Sequence, residues 1–167
     1  MYISVSEKRR RIRNSVIKNV GVFLFVFIAV LSFFYIIRFP VVNGDSMVPT
    51  YNDKDVLMVL YHGDFDIGDV VVIWSSSLDE YLVKRVIGKG GDVIEITSGH
   101  VYRNGKLLYE PYILSQVWSS PGGDTRCVVP EGCIYVLGDN RVSSMDSRTF
   151  GSLPLESVFG RVLRKLL

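Results

Sequence analysis

Residues 20–37 read VGVFLFVFIAVLSFFYII, eighteen positions without a charge, bounded by Lys18 and Arg38. As a helix this run is about 27 Å long, close to the ~30 Å hydrocarbon core of a bilayer. It has no polar face, which does not suit a helix packed on a soluble core. A cleaved secretory signal needs small residues in an A-x-A-like arrangement after the apolar run. Here Arg38-Phe39-Pro40-Val41-Val42 follows, and Ala29 is the only alanine in the chain. The run is therefore expected to be an uncleaved signal anchor. Six Lys and Arg residues stand against Glu7 in residues 1–19. That asymmetry places the N-terminus in the cytoplasm. The expected division is a basic cytoplasmic tail at 1–19, a transmembrane anchor at 20–37 and an extracytoplasmic domain at 38–167.

A chain of 167 residues holds one domain plus an accessory segment, and 48% hydrophobic content excludes disorder. The net charge of +2 gives no reason to expect a nucleic-acid binder. Residues 38–167 contain no second apolar run of spanning length, so the chain is expected to cross the membrane once. Their pattern is mainly β. Val56–Tyr61, Val70–Trp74, Tyr81–Ile87, Val93–Thr97, His100–Arg103, Lys106–Tyr109 and Ile134–Leu137 are short runs rich in Val, Ile, Leu and Tyr, separated by Gly, Asp, Asn and Ser. Arg103-Asn104-Gly105-Lys106 predicts a type I′ hairpin, because Asn-Gly tolerates positive φ at both central residues. Pro154–Leu167 is compatible with a short helix or a strand. Cys127 and Cys133 are six apart, and in an oxidising compartment they can pair or stay free. With His62 and His100 as the only histidines, no zinc-ligand pattern is present, and neither a metal nor a cofactor is expected.

The chemistry-bearing residues fall in three places. A Ser-His-Asp triad is disfavoured by the two unremarkable histidines, and neither a P-loop nor a dinucleotide fingerprint occurs. Ser15-Val16-Ile17-Lys18 matches S-x-x-K but lies at the cytoplasmic edge of the anchor, without the partner motifs that pattern requires. In the run 81–87, Leu82, Lys84 and Val86 share one face of a strand. Desolvation there would depress the Lys84 pKa and supply a neutral amine near pH 7, whereas an edge position would make Lys84 only a solubilising cation. Ser46 stands in Asn43-Gly44-Asp45-Ser46-Met47-Val48-Pro49-Thr50, where Gly44 permits unusual backbone angles and Pro49 restricts φ. Such a turn can present a hydroxyl and backbone N–H groups together, as a nucleophile beside an oxyanion site requires. It is also an ordinary place for a capping serine. The third place, Gly138–Gly151, is GDNRVSSMDSRTFG, too polar for a core strand and suited to an ordered loop.

Taken together, these segments resemble the bacterial type I signal peptidases, membrane-anchored serine proteases with a Ser-Lys dyad. The family's boxes are met by Ser46-Met47-Val48-Pro49-Thr50, by Gly68-Asp69-Val70-Val71, by Lys84-Arg85-Val86-Ile87-Gly88 and by the whole of Gly138–Gly151, in the family's order after the expected anchor. The resemblance implies an antiparallel β-sheet or β-barrel-like protease domain. It implies Ser46 as nucleophile, Lys84 as general base and Ser144 as the residue that hydrogen-bonds and orients the lysine. It further implies that Asp139, Asn140, Arg141, Asp146 and Arg148 stabilise the loop, that Arg85 is structural, and that Gly44, Asp45, Met47 and Pro49 shape the oxyanion turn. Gly44 replaces a hydroxyl that some members use as a second oxyanion donor, and Gly88-Lys89-Gly90-Gly91-Asp92 lacks a proline usual in the family. The implied substrates are preproteins whose signal peptides lie in the same bilayer, and the enzyme is read as a monomer.

Two other readings fit less well. A non-catalytic relative assisting assembly of surface proteins would not need Ser46 and Lys84 intact. A self-cleaving repressor-type protease would not need the anchor. The topology is open to a direct check: protease added outside the cytoplasmic membrane should digest residues 38–167 and leave the basic tail intact. Protection of the large segment would reverse the orientation.

Overall fold

Two patterns divide this chain, an uncharged apolar run at residues 20–37 and short alternating runs thereafter, and its two structural units follow them. The computed structural model describes residues 5–76, 78–113 and 123–167. Helix α1, Val5–Ile36, belongs to a unit that ends at Ile36; the second unit is Ile37–Leu167. Within α1, Asn14–Ile36 is 23 residues long and holds an 18-residue stretch with a mean hydropathy of 2.4, and none of its residues is buried. At 1.5 Å per residue this stretch is about 34 Å long, enough to cross a bilayer. Of the basic tail expected at 1–19, the first four residues lie outside the described ones, and the rest continues the helix.

The second unit is built of strands: β1 (Ile37–Arg38), β2 (Leu57–Tyr61), β3 (Val70–Ser75), β4 (Glu80–Lys89), β5 (Val93–Thr97), β6 (His100–Arg103), β7 (Lys106–Leu107), β8 (Thr125–Val128), β9 (Cys133–Leu137), β10 (Leu153–Pro154) and β11 (Val158–Lys165). A short helix α2, Ser147–Phe150, precedes β10. Among the described residues the strands form two antiparallel sheets. One has seven strands in the order β1-β2-β11-β3-β4-β9-β10, and the other has four in the order β7-β6-β5-β8. The Asn-Gly hairpin joins β6 to β7 with φ of 54° at Asn104 and 73° at Gly105, the two positive values of a type I′ turn. Residues 154–167, which the sequence left open, form a 3₁₀ turn at Leu155–Ser157 and then the long strand β11.

Alternation sorts the apolar side chains of the large sheet into two clusters. Val59, Val70, Val72 and Val162 pack with Met47 and Val42, while Val71, Ile73, Val86, Ile134 and Val136 pack with Leu153 and Val158. The third cluster is centred on the small sheet, where Ile94, Ile96 and Val101 meet Ile87, Tyr135 and Leu137. Strand β4 serves both sheets because its register with β9 shifts between Val86 and Gly88. This bulge sends Val86 into the large-sheet core and Ile87 into the small-sheet core. Gly88 is required beside it, since a Cβ there would stand 2.8 Å from Ile94 Cδ1.

Strand β11 crosses β2 with similar closeness at Gly160, where a Cβ would lie 2.4 Å from the Leu60 carbonyl oxygen and 2.8 Å from Val59 Cγ1. The first neighbour is backbone held in the sheet and cannot move aside. Gly160→Ala should therefore cost about 3 kcal/mol, the upper part of the range for overpacking, measured as a lowered urea midpoint with an unchanged slope.

Candidate active site

The turn carrying Ser46 is fixed at both ends and in the middle. Val42 N–H donates to the Asp55 carbonyl at 2.8 Å and Lys54 N–H to the Val42 carbonyl at 2.9 Å, which closes the base of the excursion. Gly44 adopts φ +84° and donates its N–H to Asp53 Oδ1 at 2.8 Å. Met47 is fully buried among Val42, Leu57 and Val70, so the turn is pinned to the core one residue past the serine. Asp45 lies at the other side of Ser46 and uses its carbonyl to accept from Val48 N–H at 3.2 Å and from Asn140 Nδ2 at 3.1 Å. Pro49 follows Val48 through a cis peptide bond.

Lys84 reaches this turn from β4, where it pairs with Val71 in β3. Its side chain is 2% exposed and its Nζ lies 2.8 Å from Ser46 Oγ, donating to it in the charged form. Burial is the main cause that depresses the Lys84 pKa, to about 8. Asp146, Glu80 and Asp139 act in the opposite sense through their charges, and Arg148 adds to the depression. The position along the strand matters. Strand β9 pairs with β4 only from Arg85 to Lys89, and β3 covers the other edge from Arg85 back to Glu80. Among the described residues, Glu80–Lys84 therefore have one edge without a strand partner, and Lys84 is the last residue before β9 begins.

Loop 138–151 fills the gap left where β9 ends. Asp139, 1% exposed, receives Arg85 Nε at 2.8 Å and Arg85 Nη2 at 2.5 Å, together with a short hydrogen bond from the Thr50 hydroxyl. Arg85 Nη1 donates to the Gly68 carbonyl at 2.7 Å, and its guanidinium stands 3.9 Å over the Tyr112 ring. The Thr50, Gly68, Arg85 and Asp139 segments are thereby joined through one ion pair. Asn140 N–H donates to the Ser46 carbonyl at 3.0 Å. Asp146, fully buried, accepts from Gly138 N–H at 3.0 Å and forms a paired contact with Arg148 Nε and Nη2, each at 2.8 Å. Arg141 donates to the Gly138 carbonyl at 3.0 Å and forms a buried ion pair with Glu110.

Three expectations meet a different outcome or an addition. Ser144 does not hydrogen-bond Lys84: its Oγ is buried with no hydrogen-bond partner among the described residues. The hydroxyl packs over Gly138, where a Cβ would come within 2.2 Å of it and within 2.5 Å of the Ser46 carbonyl oxygen. Cys127 and Cys133, for which bonded and free states were both open, are free thiols. Glu110 was not foreseen; a buried arginine in loop 138–151 demands an acid, but sequence does not say which of seventeen it is. Among the described residues, no three His, Cys, Asp or Glu side chains group as metal ligands would.

A cleft of about 110 Å³ is walled by Ser46 and Lys84, by Pro40–Asn43 on one side and by Glu80–Val83 on the other. A serine oxygen hydrogen-bonded to a buried amine of depressed pKa, beside an open strand edge, is equipped for acyl transfer from an extended peptide. A family profile described as signal peptidase, peptidase S26, matches residues 14–166. The chain belongs to that family. It is 39% identical over 140 residues to signal peptidase I of Bacillus caldolyticus, covering 73% of this chain and 75% of that protein. It is 32% identical over 160 residues to signal peptidase I U of Bacillus subtilis strain 168, covering 90% and 84%. The crystal structure of a signal peptidase I from Enterococcus faecalis V583 superposes with a TM-score of 0.53 at 33% identity, over 61% of this chain and 98% of that one. Membership makes the chain a serine endopeptidase, and the mainly antiparallel β fold behind an apolar N-terminal helix is that of the family's structure.

The carboxylate at 139 and the hydroxyl at 144 should separate cleanly by mutation. Asp139→Ala strands Arg85 in a buried site and should lower stability by about 3–5 kcal/mol. Ser144→Ala removes a buried hydroxyl that has no partner and should be neutral or slightly stabilising. Urea midpoints of the two variants check both.

Proposed function

We propose that this chain is a membrane-anchored signal peptidase that removes N-terminal signal peptides from exported preproteins, with Ser46 as nucleophile and Lys84 as general base. The observation that carries the reading is the 2.8 Å contact between Ser46 Oγ and a lysine that is 2% exposed. Neutral Lys84 takes the Ser46 proton as the hydroxyl oxygen attacks the scissile carbonyl. The tetrahedral oxyanion accepts from the Ser46 backbone N–H, which makes no hydrogen bond among the described residues. Lys84 then returns the proton to the leaving amine, the amide bond breaks, and the signal peptide remains as an ester on Ser46. Water, deprotonated by the same lysine, attacks that ester and releases the free carboxylate.

The open edge at Glu80–Lys84 suits a substrate added as an extra strand, whose backbone is held by hydrogen bonds and whose alternate side chains enter the cleft. A cleft of about 110 Å³ favours small residues at −1 and −3. The anchor supports delivery, since Ser46 follows the end of α1 by ten residues and stays within about 35 Å of it. In this reading the helix crosses the bilayer once, the N-terminus is cytoplasmic, the catalytic unit lies outside, and the enzyme works as a monomer at the lipid surface.

Because the folded pKa of Lys84 is about 8 against an ordinary 10.5, kcat/KM should rise tenfold per pH unit below 8 and level off above it. Ser46→Ala and Lys84→Arg should both abolish cleavage of a preprotein, the second because arginine stays protonated. Lys84→Met should be inactive yet more stable at pH 7. A depressed folded pKa means that protonated Lys84 opposes folding below pH 8, by about 3 kcal/mol, a cost that disappears as pH rises toward 10.5. Turnover by Lys84→Arg with a normal pH profile would show that another group takes the serine proton.

A further inference from the structure

The Ser46 backbone N–H satisfies one lone pair of a tetrahedral oxyanion, and each further donor aimed at that oxygen lowers the barrier more. Gly44 cannot supply it: it has no side chain, and its N–H is held by Asp53 Oδ1 at 2.8 Å. Of the walls of the cleft besides Ser46 and Lys84, only Asn43 and Tyr81 carry a side-chain N–H or O–H. Tyr81 stands three residues from Lys84 on β4, about 10 Å away. Its ring packs against those of Phe159 and Trp74, at 5.2 and 4.9 Å. Asn43 remains.

We propose that the side-chain amide of Asn43 is the second donor to the oxyanion, a catalytic residue beside Ser46 and Lys84; the proposal rests on the catalytic reading of the cleft. The backbone on both sides of Asn43 is fixed. Val42 is 3% exposed, with its N–H bonded to the Asp55 carbonyl at 2.8 Å and its carbonyl to Lys54 N–H at 2.9 Å, and Gly44 is held by Asp53. The direction of the amide is set by Lys54, whose Nζ lies 3.3 Å from Asp53 Oδ2 and 3.5 Å from Asn43 Oδ1. An ammonium group has donors and no acceptor, so only the oxygen end of an amide can face it. At 3.5 Å this bond is weak, but it turns Nδ2 to the other side, where it makes no hydrogen bond among the described residues. An unpartnered amide donor on a wall of the cleft is thus available to an oxygen that becomes charged only as the carbonyl is attacked. Being neutral, the amide stabilises that charge without altering the titration of Lys84.

The experiment compares the full chain with Asn43→Ala and with Asn43→Leu, which keeps the branched shape without the donors, on one preprotein in detergent micelles. Both variants should lower kcat about 100-fold, the lower part of the range for loss of one oxyanion donor, with KM within about twofold. The pH midpoint of kcat/KM should stay near 8. A peptide aldehyde gives the second readout: Ser46 Oγ bonds to its carbonyl carbon, the hydroxyl proton passes to Lys84, and the former carbonyl oxygen takes the charge. Its affinity should fall in the variants by the same factor as kcat, while that of the matching peptide alcohol, which forms no adduct, holds. Both ligands bind only folded enzyme, so their ratio does not depend on how much of a variant folds. An unchanged kcat with an unchanged aldehyde-to-alcohol ratio would overturn the proposal. So would a raised KM with kcat kept, the mark of an amide that binds substrate before attack. A shifted pH midpoint with the plateau kept would show that Asn43 acts through Lys84 and overturn it equally. Failure of the unsubstituted enzyme to cut the preprotein, or cleavage by Ser46→Ala, would instead overturn the catalytic reading beneath it.

Discussion

The carboxylate of Asp139 is the point on which the site's geometry depends. It takes both Arg85 Nε and Nη2 and the Thr50 hydroxyl while being 1% exposed. A buried charge of this kind is costly to desolvate, and it is tolerated only when all its lone pairs are engaged. The engagement here is long-range. Thr50 is 89 residues and Arg85 54 residues from Asp139, so the Ser46 turn, the strand that carries Lys84 and loop 138–151 each supply part of one ion-pair network. Misplacing the strand or the loop leaves an unpaired buried charge, and misplacing the turn leaves the carboxylate one hydrogen bond short, so the penalty favours a single arrangement.

The environment of Lys84 has a different origin. Lys84 owes its depressed pKa to enclosure rather than to a neighbouring cation: burial is the largest cause, and three acids oppose it. Enclosure is achieved at a place where a strand edge is open to a peptide, because β9 stops at Leu137 and the Ser46 turn takes the next position. The same arrangement therefore dries the amine and leaves one edge of Glu80–Lys84 without a strand partner among the described residues.

Much of this was legible in sequence, for identifiable reasons. The strands at 93–97 and 100–103 and the Asn-Gly hairpin that follows the second of them depend on local alternation and on φ preferences carried by two residues, and the structure has them at those positions. Strand β8 was not foreseen because Thr125 and Arg126 give it little apolar signal; β5 recruits it by pairing Glu95 with Arg126 and Ile94 with Cys127. Residues that act through local backbone, such as Gly44, kept their expected place. Residues whose role lies in a distant contact did not always do so. Ser144 sits in the family's box but points its hydroxyl at Gly138, and Glu110 holds Arg141 across 31 positions. Choosing one carboxylate among many is a property of three-dimensional packing, to which periodicity and turn chemistry are blind.

The bulge in β4 has a consequence for how such a chain can vary. On one side of it, Arg85 is locked to Asp139; on the other, Ile87 belongs to the core of the small sheet. A change in length at the β5–β6 turn, Ser98-Gly99, lies within the small sheet and does not reach that bend. Lengthening a loop costs only ~0.6 kcal/mol per doubling, so the small sheet can accept inserted sequence while the catalytic half keeps its dimensions. Strand β4 thus separates a region free to diversify from one held constant.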